Sequence, residues 1–91
     1  MDYILCRNRV TDLTKWKQAF DADSGTHREA GLKLIHLWQG SSEPDNVYFF
    51  FETTNIVKAR AYLTSLELAV SWEANSVIEG ETFFIESKDE D

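Results

Sequence analysis

The segment Val47-Tyr48-Phe49-Phe50-Phe51 is the strongest constraint on what this chain can become. Side chains along a strand alternate between the two faces of a sheet, so an ordinary half-buried strand is apolar on one face only. Here both are apolar: Val47, Phe49 and Phe51 on one side, Tyr48 and Phe50 on the other. The same doubling recurs elsewhere. In the run 32–39, Leu32, Leu34, His36 and Trp38 oppose Ile35 and Leu37, and in 80–86, Phe83 and Ile85 oppose Phe84. A fourth strand, 3–10, sets Ile4, Cys6, Asn8 and Val10 against Tyr3, Leu5, Arg7 and Arg9.

Two helical patterns separate these strands. Thr11-Asp12 supplies an N-cap for a helix over residues 12–30, in which Leu13, Trp16, Phe20, Ser24, His27 and Gly31 share about 80° of arc, with Gly31 as its C-cap. Thr54-Asn55 caps a second helix with Ile56, Ala59, Leu63, Leu66 and Val70 inward. Thr64-Ser65 breaks it, and Ser65 caps a further turn or two through Trp72. A Gly-Ser-Ser-Glu-Pro-Asp-Asn connector, 40–46, joins the middle strands as a hairpin. The order βαββαβ predicts an α+β, ferredoxin-like domain: a four-stranded antiparallel sheet with two helices on one face. At 91 residues there is room for one domain, residues 1–87, followed by an acidic tail, 88–91.

Two helices cover one face of such a sheet and leave the other, with its aromatic groups, in water. Each buried Phe or Trp is worth roughly 1.5 to 3 kcal/mol, so five or six on one face suffice to drive self-association. The expected partner is therefore a second copy, packed sheet to sheet as a homodimer. A monomer whose C-terminal region folds across the sheet is the alternative, with the acidic tail as a poor lid. The formal charge of −7, from 9 basic against 16 acidic residues, argues against nucleic acid and anionic membrane surfaces as partners. The amino terminus has no basic region followed by a long apolar core, and Cys6 is a single cysteine, so the expected location is cytoplasmic. Cys6 reads as a buried structural thiol.

Ser24 and His27 bring polar groups onto the stripe that Leu13, Trp16 and Phe20 begin. A histidine there serves either as proton carrier and ligand donor or as a structural group at a helix end, where Arg28 also favours the dipole. Asn8, on the face of Ile4 and Cys6, is a buried amide that demands partners and is the second candidate for catalysis. Trp16, Phe20, Ser24, His36, Trp38, Tyr48, Phe50 and Trp72 are candidate contacts for a flat ligand, with a core role as the alternative for the aromatic ones. His36 would ligate a metal only by joining His27 and a carboxylate such as Glu52. No His-x-x-x-His or Cys-x-x-Cys spacing supports that, so no metal and no cofactor is expected.

Taken together, Arg9-Val10, the stretch Asp12 to Trp16, Phe20-Asp21-Ala22, His27-Arg28-Glu29-Ala30-Gly31, Pro44-Asp45-Asn46-Val47, Ala59-Arg60-Ala61-Tyr62-Leu63 and Glu81-Thr82-Phe83-Phe84-Ile85-Glu86 resemble small bacterial proteins of the dimeric α+β barrel superfamily. That superfamily includes the antibiotic biosynthesis monooxygenases and small cyclase-like proteins. The resemblance implies a protomer whose sheet closes against a second copy into a barrel, with a small-molecule pocket between helix and sheet. Haem-degrading members carry an asparagine on the first strand, matched by Asn8, and a tryptophan, matched by Trp72, but also a histidine on the second helix. This chain has none there, which speaks against haem. Cofactor-independent monooxygenases of the superfamily act on polycyclic phenols with Asn, Trp, Tyr and Arg side chains. The resemblance therefore implies an aromatic or polyketide-like ligand and, where there is catalysis, cofactor-free oxygenation or proton-transfer isomerisation and cyclisation, with His27 carrying the proton and Asn8 polarising an oxygen. The contrasting expectation is a dimeric binding or structural module without catalysis.

Overall fold

A computed structural model describes residues 2–86. The acidic tail expected at 88–91 lies outside the described residues. The chain runs β1 (Asp2–Val10), α1 (Leu13–Ala22), α2 (Ser24–Glu29), β2 (Lys33–Gln39), β3 (Asn46–Thr53), α3 (Ile56–Leu63), α4 (Leu66–Ala74) and β4 (Val77–Glu86). One four-stranded sheet forms in the order β2-β3-β1-β4, with every neighbouring pair antiparallel. This is the α+β, ferredoxin-like architecture that the order of strand and helix patterns predicts, with each of the two helical segments broken in two.

The first break falls at Asp23. Its N–H is shared between the carbonyls of Ala19 and Phe20, both at 3.1 Å, and the chain restarts as α2 through Ser24-Gly25. Asp, Ser and Gly are poor interior helix residues, so the uninterrupted helix expected over 12–30 yields here. Asp12 caps α1 by accepting from the Lys15 amide at 3.0 Å, and Asn55 caps α3 through the Lys58 amide at 3.1 Å. The second break is at Thr64, where Ser65 caps α4 by accepting from the Leu68 amide at 3.2 Å. Ile56, Ala59 and Leu63 face inward as expected, but Leu66 and Val70 are exposed. The restart at Ser65 resets the helical phase, so Leu68 and Trp72, four residues apart, point at the sheet instead.

The core lies between the helices and one sheet face. Ile4, Cys6, Val10, Val47, Phe49 and Phe51 project from the sheet to meet Trp16, Ala59, Leu63 and Leu68. Phe84 points to the same side, beneath the Arg60 guanidinium at 4.1 Å. Phe83 and Ile85 lie on the other face, in register with Leu5 and Tyr3.

In β2 the pairing slips between Leu34 and His36, a bulge at Ile35. The extra residue inverts the alternation from there on. Leu34 pairs with Phe51 and belongs to the helix side, whereas His36 pairs with Phe50 and Trp38 with Tyr48 on the open side. The regular alternation that put Leu34, His36 and Trp38 on one face is thereby corrected. β4 starts at Val77, three residues before the expected 80, so Gly80 sits inside a strand. A Cβ there would lie 3.1 Å from both the Trp72 ring and the Asn8 side-chain amide, which explains the glycine.

Candidate functional site

Trp16, Phe20 and His27 approach the sheet as one row of rings. Trp16 and Phe20 stack at 4.8 Å, and Phe20 meets the edge of Phe49 at 5.2 Å. The His27 ring lies 4.9 Å from Phe20, 5.3 Å from Phe51 and 6.0 Å from Tyr62. Across the break at Asp23, the His27 amide is bonded to the Asp23 carbonyl at 2.9 Å.

Behind this row, between α1, α2, α3, α4 and the sheet, is a cleft of about 20 Å³, room for about one water. Its apolar walls are Trp16, Phe20, Phe49, Phe51 and Trp72. Polar residues line it from three helical segments, the α1–α2 junction and the end of α4: His27, Tyr62, Ser71, Asp23 and Asn75. Burial holds the His27 pKa below its ordinary 6.5, and the nearby Asp23 carboxylate opposes the shift only in part. The imidazole is thus mainly neutral at pH 7, with no hydrogen bond to another described side chain. Burial, helped by Asp23, pushes the Tyr62 phenol up to about 12. The cleft therefore offers a neutral base beside a proton-holding phenol.

On the outer side of the same ring row, a groove of about 640 Å³ runs between α1–α2 and the edge strand β2. Phe20 and His27 border both spaces. Ser24 lines this outer groove and does not reach the cleft.

The remaining candidates are divided between the two faces of the sheet. Trp72 belongs to the cleft, but Tyr48, Phe50, His36 and Trp38 stand on the open face, where His36 stacks on Trp38 at 4.8 Å and Tyr3 on Phe50 at 5.4 Å. Within one protomer they cannot line one pocket with Trp72, because the sheet lies between. Asn8 is fully buried behind Trp16 and does not border the cleft. In the amide orientation that satisfies both of its ends, it donates to the Arg7 carbonyl at 3.0 Å and accepts from Trp16 Nε1 at 3.1 Å. Cys6 is buried against Thr82, and burial raises its thiol to about 12. Among the described residues, no group of three or more His, Cys, Asp and Glu side chains converges as a metal site. No described helix is long and apolar enough to cross a membrane.

Sequence reading missed Asp23, Tyr62 and Ser71 as cleft residues. Asp23 is hidden by the apparent continuity of the first helix. Tyr62 sits one residue before the inward Leu63, and only the packing of α3 against α2 brings it to His27.

The same α+β fold, a four-stranded antiparallel sheet with helical segments packed on one face, occurs in solved structures described as antibiotic biosynthesis monooxygenases. The chain is similar to SnoaB, a cofactor-independent oxygenase from Streptomyces nogalater, at TM-score 0.74 and 13% identity over 98% of this chain and 94% of that one. A second similar structure is an antibiotic biosynthesis monooxygenase, at TM-score 0.69 and 10% identity over 98% of this chain and 100% of the other. A third is an uncharacterized NIPSNAP domain protein from Burkholderia xenovorans, at TM-score 0.64 and 12% identity, covering 96% and 94%. No protein-family model matches the chain, and neither does any curated protein. At these identities the likeness is one of fold.

Proposed function

We propose that the protein binds a flat aromatic or polyketide-like molecule at the cleft and acts on it without a cofactor, by oxygenation or by proton-transfer isomerisation or cyclisation. The observation that carries this reading is His27: a half-buried, neutral imidazole held by three rings at the border of the cleft, its nitrogens unused by other side chains. A phenol or enol entering there would lose its proton to the imidazole, and the resulting anion is the electron-rich form that reacts with dissolved oxygen or rearranges. Similarity of fold to a cofactor-independent oxygenase supports the reading. A ring system needs more space than one water, so Phe20 and His27 have to swing aside on entry.

The second part of the proposal is a homodimer through the open sheet face. Trp38, Phe83 and Ile85 are 47%, 49% and 41% exposed there, beside Leu5, Tyr48 and Phe50. The tightness of the cleft favours one rival, a dimeric binding or structural module without catalysis.

Native mass spectrometry of freshly purified protein, followed by oxygen uptake with hydroxylated polycyclic aromatics, tests the enzyme reading. A co-purifying aromatic, or turnover lost in His27→Ala while the fold persists, supports it. Absence of any bound molecule, together with oxygen uptake no faster than without protein, leaves the structural module.

A further inference from the structure

The groove outside the ring row has features that the cleft lacks. Its floor is apolar, built from Phe20, the buried Leu32 and the exposed Leu34, which the Ile35 bulge leaves on the helix side at the sheet edge. About 640 Å³ is the size of a small-molecule site. Its charged rim is uneven. Asp21 is already paired with Lys17, at 2.7 and 2.9 Å. Arg28, in contrast, makes no ion pair among the described residues, whereas Lys33 alternates with Leu34 and projects to the other face of the sheet, opposite Glu52. In a chain with seven more acidic than basic residues, an unengaged guanidinium on an apolar groove stands out. The Ser24 hydroxyl, on the same wall, makes no hydrogen bond to a described residue and adds a neutral donor.

We propose that this groove is a second ligand site, for a small aromatic carboxylate whose ring lies on Phe20, Leu32 and Leu34 and whose carboxylate is held by Arg28 and Ser24. The guanidinium matches a carboxylate by two parallel N–H donors, and the hydroxyl adds a third. The ring covers Leu34, which otherwise stays in water. The site does not depend on the cleft being catalytic. Because it shares Phe20 and His27 with the cleft, occupancy of the groove also holds those two rings in place and so affects entry to the cleft.

Titration of the ¹⁵N-labelled full chain with 1-naphthoate, and in parallel with the uncharged 1-naphthalenemethanol, tests the proposal. Naphthoate is expected to bind more tightly and to shift the amides of Ser24, Arg28 and Leu34 first. In Arg28→Gln its affinity should fall roughly tenfold or more, while the alcohol is unaffected. Leu34→Glu, which places a carboxylate on the floor, should remove naphthoate binding without touching the cation. Equal affinity for the two probes, unchanged binding in both variants, or shifts centred on Ser71 and Trp72 instead of the groove would overturn the assignment.

Discussion

Trp16 on α1 donates its indole N–H to the side-chain oxygen of Asn8 on β1, at 3.1 Å, across the most deeply buried part of the core. The bond fixes the first ring of the row that ends in His27, and it consumes the amide that would otherwise be free to polarise a ligand oxygen.

Asn8→Ala therefore acts on stability first. It leaves the indole N–H buried without a partner and opens a small void, at a cost of about 2 kcal/mol. Thermal unfolding should shift down by roughly 10 °C in a domain of this size. Trp16→Phe in the Asn8→Ala background should cost less than it does alone, since the partner is already gone.

The pH dependence follows from His27. Its pKa is lower in the folded state than in the unfolded chain, so between the two values the unfolded chain binds more protons and stability rises with pH. The contribution is intact above about 6.5, the unfolded value, and is lost progressively as pH falls below it towards the folded pKa. Chemical denaturation at a series of pH values from neutral downwards should show that decline, and His27→Gln should flatten it.

Much of the fold was legible because local chemistry and tertiary packing agree. Asp12, Asn55 and Ser65 cap where their side chains predict, and Phe83 and Phe84 face opposite sides as alternation requires. Two of the misreadings are local shifts of phase. The bulge at Ile35 turns His36 and Trp38 away from Leu34, and the restart at Ser65 turns Leu66 and Val70 outward. For the site, the stripe Trp16, Phe20, His27 was visible at helical spacing. That Tyr48, Phe50 and Trp38 belong to the opposite face from Trp72 was not, because in β3 both alternation phases are aromatic and give no sign of which is inside.

Cys6 should be inert in the folded protein. Its thiol is buried and held near pKa 12, so at pH 8 almost none is thiolate and little reagent reaches it. Disulfide-exchange labelling is expected to proceed only as fast as the protein opens, and at the free-thiol rate in denaturant. Fast labelling under native conditions would contradict the packing of β1 against β4.

Replacing Phe83 by Lys should weaken the proposed dimer without harming the protomer. Residue 83 faces away from the core, so secondary structure is retained, while a charge is placed in the middle of the proposed contact. Size-exclusion elution at equal concentration should move towards the single chain for the variant.

The proposed homodimer rests on an apolar sheet face being covered by another copy. Sedimentation velocity of the unmodified protein at micromolar concentration reads this directly. A folded species of twice the chain's mass is the predicted result, and a folded species of one chain's mass, unchanged as concentration is raised, would contradict it.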